Sequence, residues 1–214
     1  MTSLEFTEEM KGYISFGELD TERGFREGKA NDTFLMFHLR IEVDDVDRFV
    51  ADPTHLASAT GWVRCEELGG QLPVQHGLFN LFVGSGGAPS KTMRYRLYFC
   101  DGAGNPLTLT GVKDIQDDPG LDLWSDTTTL YVRILQGHVD GEGEARAEVC
   151  ASGILQIYML DFARQLTTFR VHGGGMAART RALTDFGRLF LGELWDLYHG
   201  KAKAAMTEEA KTDG

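Results

Sequence analysis

Apolar and polar residues alternate along most of this chain, and this alternation predicts β-strands. The clearest example is the segment 34–43, in which apolar residues occupy every second position from Phe37 to Val43. A period of two is typical of a strand that buries one face. The segment 93–99 repeats the pattern, and the segment 127–135 is rich in Thr, Tyr, Val and Ile, which strands favour. Further strands are predicted near residues 10–17, 57–67, 76–83, 105–114 and 147–158.

Helical spacing is confined to two places. Residues 44–50 predict one short helix that begins at aspartate caps, and residues 176–199 predict a long amphipathic helix. Glycine accounts for 26 of the 214 residues. Pairs such as Gly69-Gly70 predict turns between strands. Glycines inside strands, such as Gly61 and Gly153, predict positions where a barrel bends and side chains would crowd.

Eight or nine strands joined by short links, followed by one helix, define the expected fold class. The prediction is a mainly β protein, an antiparallel β-barrel of 8–9 strands with a long C-terminal α-helix, since barrel closure removes exposed sheet edges. We expect a single barrel domain over residues 1–200 that includes the helix at 176–199. Residues 201–214 are expected to form a flexible polar tail.

Charge and cysteine content exclude several classes of protein. The formal net charge is −11, which argues against nucleic-acid binding because that function needs clustered positive charge. No stretch is apolar and long enough to predict a membrane-spanning helix. Cys65, Cys100 and Cys150 lie far apart, and the N-terminus has no apolar leader segment. We therefore expect reduced cysteines and a soluble cytoplasmic protein.

Motifs for cofactor or metal chemistry are incomplete. Gly173-x-Gly175-x-x-Ala178 imitates a dinucleotide-binding glycine loop, but the second strand and the ribose-binding acid that such a site needs are missing. His172–Gly175 imitates an oxyanion loop, but the serine elbow that belongs to such a loop is missing. The interpretation that remains is a flexible connection from a strand to the helix. The six histidines include no His-x-His pair. An acidic stretch contains Asp117, Asp118, Asp122 and Asp126 but lacks the spacing of an EF-hand. We interpret these residues as solvated turn residues, and calcium binding is the minor alternative. No catalytic residue, metal or cofactor is predicted.

A ligand site inside the barrel is the functional prediction that the residues themselves support. A barrel wide enough to hold a cavity lines it with one face of each strand, and aromatic side chains with a few polar groups suit an apolar ligand. The alternation does not say which strand face points inward, because both faces carry aromatic residues. The predicted ligand-binding residues are Phe37, His38, Trp62, Phe79, Tyr95, Trp124, Tyr131, Arg133 and Tyr158.

Several stretches also resemble a known segment of larger proteins. They are Phe6–Gly12, Leu68–Val74, Gly77–Phe82, Leu123–Thr129 and Ala151–Leu155 followed by Asp161-Phe162. Together they resemble the non-flavin accessory domain found in bacterial multidomain proteins of the GMC (glucose–methanol–choline) oxidoreductase and cholesterol oxidase type. This resemblance implies a sterol or lipid context and an FAD-dependent oxidoreductase partner. The overall plan is similar to lipocalin-like (calycin) barrels.

Three functions follow from these observations. The leading hypothesis is a non-catalytic binding or accessory domain for an apolar small molecule of the sterol or lipid class, and a homodimer is left open. The second is a cofactor-independent lipid isomerase, hydratase or cyclase, which needs an acid–base pair in the cavity, such as His38 or His76 facing Asp114 or Glu67. The third is a structural docking module whose interior is packed. The sequence favours a binding protein over an enzyme.

Overall fold

The described part of the protein consists of antiparallel β-strands with three α-helices placed around them. The computed structural model describes residues 1–84, 91–115, 129–157 and 168–189. In chain order the elements are β1 (Ser3–Phe16), α1 (Thr21–Asn31), β2 (Phe34–Val43), α2 (Val46–Ala51), β3 (Leu56–Cys65), β4 (Gly70–Gly84), β5 (Lys91–Cys100), β6 (Pro106–Ile115), β7 (Thr129–Gln136), β8 (Val149–Gln156), β9 (Arg170–His172) and α3, described over residues 176–189.

Strands β1 to β8 form a closed barrel. Each strand pairs antiparallel with the next one in the chain, and β1 closes the ring because it pairs with both β2 and β8. The ninth strand, β9, lies outside the ring and pairs with residues Ser3–Glu5 at the start of β1. The predicted barrel of eight or nine antiparallel strands with a C-terminal helix is confirmed.

The alternation that predicted the strands also decides which side chains fill the barrel. Along β2, Leu35, Phe37, Leu39 and Ile41 are fully buried, while the residues between them face outward. The same period of two continues around the ring, so the interior is lined by Leu, Ile, Val, Phe and Met side chains. The hydrophobic core is therefore the barrel interior.

One end of the barrel is covered by aromatic rings from outside the ring of strands. Phe186 of α3 is 1% exposed, and its ring centroid lies 6.0 Å from that of Phe6 on β1 and 5.8 Å from that of Phe49 on α2. Phe169, which precedes β9, stacks on Phe6 with a centroid distance of 5.0 Å. We call the five rings that meet at this end the aromatic cover: Phe6, Phe49, Phe79, Phe169 and Phe186.

Helix α1 lies on the outer wall of the barrel and is absent from the sequence prediction. Its sequence is mostly polar, and Phe25, whose ring lies 6.0 Å from that of Tyr13, is its one large apolar residue, so the helix carries no apolar stripe. The face that it buries consists of Gly24 and Gly28, and a Cβ at these positions would lie 2.2 Å from the Ser152 carbonyl oxygen and 2.1 Å from the Ile14 carbonyl oxygen. The helix therefore packs backbone against backbone on β1 and β8.

Other boundaries correct or confirm the sequence prediction. The strand predicted near residues 10–17 begins seven residues earlier, at Ser3, and the short helix predicted over 44–50 is Val46–Ala51. At Gly61 a bulge interrupts β3, φ is +141°, and a Cβ would lie 2.1 Å from the His38 carbonyl oxygen. This position confirms that strand glycines mark crowded bends.

The C-terminal predictions are described only in part. Of the helix predicted over 176–199, residues 176–189 are helical, whereas residues 190–199 and the predicted tail at 201–214 lie outside the described residues. In the described ranges, no helix is both long and apolar enough to cross a membrane.

Candidate functional site in the barrel interior

Two oppositely charged side chains and a tyrosine meet inside the barrel. The Lys113 Nζ donates a hydrogen bond to Glu8 Oε1 at 2.8 Å, and the Tyr95 Oη lies 3.0 Å from Glu8 Oε1 and 2.9 Å from Glu8 Oε2. All three residues are at most 3% exposed. We call Glu8, Tyr95 and Lys113 the interior cluster.

The strand register explains why these three residues meet. Glu8 belongs to β1, Tyr95 to β5 and Lys113 to β6, and β1 and β5 are separated by half of the eight-strand ring. The three side chains point inward because they occupy the same alternate positions as the apolar residues of their strands. The hydrogen bonds of the cluster therefore connect opposite walls of the barrel.

The electrostatics of the cluster depend on its isolation from water. Burial raises the pKa of the Tyr95 hydroxyl well above its ordinary value, and the negative charge of Glu8 and its hydrogen bond add to this shift. Tyr95 therefore stays protonated and remains a hydrogen-bond donor. The Lys113 Nζ also lies 5.3 Å from the centroid of the Tyr95 ring, a distance at which a cation is attracted to the face of an aromatic ring.

Aromatic side chains connect the interior cluster to the covered end of the barrel. The ring of Tyr95 lies 5.8 Å from that of Phe37 and 5.0 Å from that of Phe79. Phe79 in turn meets Phe6 edge to face at 6.2 Å. A continuous path of aromatic rings thus leads from Phe186 of α3 to the charged groups.

Of the nine predicted ligand-binding residues, the structure brings three together at this site: Phe37, Phe79 and Tyr95 are buried and in mutual contact through Tyr95. His38 and Trp62 stack on each other on the outer wall, with their centroids 5.7 Å apart. Tyr131 and Arg133 of β7 are exposed to solvent, and Trp124 and Tyr158 lie outside the described residues.

The acid–base pairs expected from the sequence do not form inside the barrel. His38, with its side chain 41% exposed, lies on the outer wall, and His76 and Glu67 are exposed too. The side chain of Asp114 lies outside the described part of the structure. The acid and base that do meet in the interior are Tyr95 and Glu8, because β1 carries its acidic residue at an inward position.

Sequence reasoning missed Glu8 and Lys113, although a signal for them exists. In β1 the inward positions run Leu4, Phe6, Glu8, Met10, so a charged residue interrupts an otherwise apolar series. Lys113 extends a similar inward series on β6. The interruption of an apolar series marks each of these residues as a charge that would need a partner if it were buried. Neither series indicates that the two residues pair with each other.

The structure places part of the remaining motifs. Gly173–Gly175 connects β9 to α3, in agreement with the interpretation as a strand-to-helix connection. Within the described ranges, no group of three or more His, Cys, Asp and Glu side chains is placed to hold a metal ion. Asp117, Asp118, Asp122 and Asp126 fall in a stretch that the structure does not describe.

No match to this chain is found among protein-family models, curated proteins or solved structures. The resemblance to the accessory domain of GMC-type oxidoreductases therefore stays a prediction from the sequence.

Proposed function

We propose that the barrel is a non-catalytic binding domain for a small amphiphilic molecule of the sterol or lipid class. The observation that carries this proposal is the interior cluster, an ion pair with a hydrogen-bonded hydroxyl in an otherwise apolar barrel. Burying an ion pair costs free energy that apolar side chains in its place would not cost. Perturbed, buried polar groups are concentrated at functional sites, which supports a functional reason for this cluster.

The charges of the cluster select the kind of polar group that a ligand carries. Lys113 and Tyr95 donate hydrogen bonds, and Glu8 accepts them. A neutral hydroxyl group can accept from Lys113 and donate to Glu8, whereas a carboxylate is repelled by Glu8. We therefore propose an alcohol with an apolar body, such as a sterol or a long-chain alcohol.

We propose that the apolar body of the ligand enters at the aromatic cover and makes its own space there by moving side chains. In α3, Ala182 and Phe186 are buried, whereas Met176 is 86% exposed and Leu183 is 47% exposed. The described part of α3 therefore packs against the barrel mainly through Ala182 and Phe186. A ligand that displaces the rings of Phe169 and Phe186 keeps the barrel end covered by apolar surface while its hydroxyl reaches the interior cluster.

The sequence resemblance extends the proposal to a partner and a location. An FAD-dependent oxidoreductase of the GMC type is a fitting partner for a domain that binds a sterol or lipid alcohol, since those enzymes oxidise alcohols. We include this partner and a cytoplasmic location in the proposal, and both rest on the sequence alone.

The test compares ligands that differ only in the oxygen group. Binding of a sterol, a long-chain alcohol and the hydrocarbon of the same chain length is measured by native mass spectrometry and thermal shift. We expect the wild-type protein to prefer the sterol and the alcohol. In the Glu8→Gln/Lys113→Met variant, which keeps the volume of both side chains, we expect the affinity for the alcohol to fall by about tenfold, the effect of one lost hydrogen bond to a charged group.

The control for this test is Arg133→Met, which removes a charge from the outer wall of β7 and should leave binding unchanged. Absence of saturable sterol and alcohol binding by the wild-type protein would overturn the proposal. An unchanged alcohol affinity in the double variant would overturn the role of the interior cluster.

A second candidate function, an isomerase or cyclase, is favoured by one observation. The Tyr95 Oη lies 3.0 Å from Glu8 Oε1, so a hydroxyl donor and a carboxylate lie together in the interior. Catalysis requires that both reach the reacting atoms of a bound ligand within hydrogen-bond distance. Conversion of a bound ligand, detected as a change of its retention time in chromatography after incubation, would separate this function from simple binding.

A further inference from the structure

A concave site lies on the outer wall of the barrel, away from the interior cluster. It is a cleft of about 650 Å³ between the outward faces of β4 and β5 and the segment 137–148 that joins β7 to β8. This volume lies within the range of roughly 300–1,000 Å³ typical of small-molecule sites.

The far wall of the cleft is fixed by hydrogen bonds to the barrel. The Gly137 N–H donates to the Pro106 carbonyl oxygen at 2.8 Å, and the Val139 N–H donates to Thr108 Oγ1 at 2.9 Å. Further along the segment, Glu144 forms an ion pair with Arg96 of β5 at 2.9 Å. The cleft is therefore a preformed feature of the fold, which lowers the entropic cost of binding.

Three aromatic rings stand in a row along the cleft. The rings of His76 and Tyr98 are nearly parallel, with an interplanar angle of 4° and centroids 5.9 Å apart, and His138 meets Tyr98 edge to face at 5.5 Å. The His138 Nε2 lies 3.1 Å from the Phe99 carbonyl oxygen, so this nitrogen carries the proton. In the neutral ring, Nδ1 is then an acceptor.

Planar polar side chains surround this row of rings. Gln75 and Gln136 supply amide groups. Each amide forms a hydrogen bond with a cysteine: Gln75 Nε2 donates to Cys100 Sγ, and Gln136 Oε1 accepts from Cys150 Sγ. Asp140 and Arg146 add one negative and one positive charge. The cleft thus offers donors and acceptors in comparable number and has no net charge from these two groups.

We infer that this cleft binds a neutral carbohydrate of one or two sugar rings. A pyranose has one face of C–H bonds, which pack on the negatively polarised faces of aromatic rings. Its hydroxyl groups each donate and accept, and neighbouring hydroxyls match the paired atoms of amide, carboxylate and guanidinium groups. The row of rings and the mixed amide and charged groups of the cleft provide both kinds of contact.

Other ligand classes fit this cleft less well. A purely apolar molecule leaves the amides and charges unpaired, and an anion is repelled by Asp140 and by the chain's formal net charge of −11. This inference is independent of the proposed function, because its residues lie on the outer wall and none belongs to the interior cluster.

The test is a glycan array followed by titration of the best glycans and of glucose, galactose, mannose and N-acetylglucosamine. Binding is monitored on the full chain through the NMR signals of the Tyr98 and His138 rings. Titration continues to about 50 mM, at which a site with a Kd of about 1 mM is almost saturated. We expect saturable shifts confined to the cleft, and a loss of about tenfold in affinity for Tyr98→Leu, as at a central contact residue.

Two further variants in the cleft and two controls outside it make the result specific. Gln136→Ala and Arg146→Ala change exposed side chains and should each weaken binding without unfolding the protein. Tyr131→Leu removes an exposed tyrosine from the outer wall outside the cleft and should leave binding unchanged. The Glu8→Gln/Lys113→Met variant should also bind the sugar normally, which separates the two proposals.

The inference is overturned if neither the array nor the titrations show binding. It is also overturned if Tyr98→Leu, Gln136→Ala and Arg146→Ala all bind sugar as the wild type does. If benzoate binds saturably and no sugar binds, the ligand of the cleft is an aromatic acid and the carbohydrate inference is overturned.

Discussion

At the scale of single residues, the unusual feature is a charge pair held at the centre of an apolar barrel. Glu8 and Lys113 have side chains that are each 2% exposed, and their charged atoms are 2.8 Å apart. Removing such charges from water costs several kcal/mol per ion, and the attraction between them offsets this cost only while both are present. The intact pair therefore adds little to the free energy of unfolding, but loss of either charge alone should lower that free energy strongly.

This dependence gives a prediction for two variants. Lys113→Met should lower the free energy of unfolding by about 3–5 kcal/mol, because Glu8 is then left buried without a counter-charge. The Glu8→Gln/Lys113→Met variant should lose less than the single variant, since it leaves no buried charge and keeps the hydrogen bond to Tyr95. Urea-induced unfolding followed by circular dichroism measures both. An equal or larger loss in the double variant would contradict the prediction.

The sequence could name the apolar members of the site but not its charged members. Phe37, Phe79 and Tyr95 are aromatic residues of predicted strands, so they could be named as candidates, although the alternation left open which strand face points inward. Charged residues are almost always on the outside of a strand unless they are paired. The partner of Glu8 is 105 residues away, and only the register of a closed ring brings the two together.

At the scale of the elements, α1 shows that close backbone approach can replace an apolar stripe. The helix is anchored by Gly24 and Gly28, and at its start the Asp20 side chain accepts a hydrogen bond from the Arg23 N–H at 2.8 Å. A search for helical periodicity finds nothing here, because the buried face has no side chains. The turn residues and the short helix α2 were predictable because their signals are local.

Opposite effects are expected for two glycine-to-alanine changes in helices. Gly24→Ala should destabilise the protein by about 1–3 kcal/mol, because its Cβ would lie 2.2 Å from the Ser152 carbonyl oxygen. Among the residues that the structure describes, no heavy atom lies within 4 Å of a Cβ placed at Gly187 in α3, and Gly187→Ala should stabilise the protein by about 0.5–1 kcal/mol. Thermal unfolding of the two variants side by side provides the measurement. A stabilising Gly24→Ala would show that α1 does not pack as closely as described.

At the scale of the whole molecule, the decisive feature is that β1 pairs with both its neighbour in the chain and the last strand of the ring. Residues Lys11–Phe16 pair with Ala151–Gln156 of β8 in a continuous antiparallel register. This contact joins the two ends of the barrel sequence, so the opposite walls that carry the interior cluster exist only when the ring is closed.

A disulfide across this seam tests the closure. Lys11 and Gln156 are register partners, so Lys11→Cys/Gln156→Cys should form a disulfide on mild oxidation. Closing so long a loop should stabilise the oxidised form over the reduced form by at most about 4–5 kcal/mol, less any strain. Peptide mapping by mass spectrometry and thermal unfolding of both forms provide the measurement.

The matched control moves one cysteine by two residues along β8, which keeps it on the same face of the strand. In Lys11→Cys/Ile154→Cys the two residues are diagonal neighbours, about 7–8 Å apart, which is too far for an unstrained disulfide. Equal crosslinking of both variants would contradict the register between β1 and β8.

The sequence by itself determined the strands, most of the turns and the class of fold, because these depend on alternation and glycine placement within short segments. Only the tertiary structure decided which of the two aromatic strand faces points inward, that Glu8 meets Lys113 and Tyr95, and that α1 lies on the wall through two glycines. Those outcomes depend on contacts between residues far apart in the chain, and ring closure fixes them because each strand's inward face is set by the register of both its neighbours.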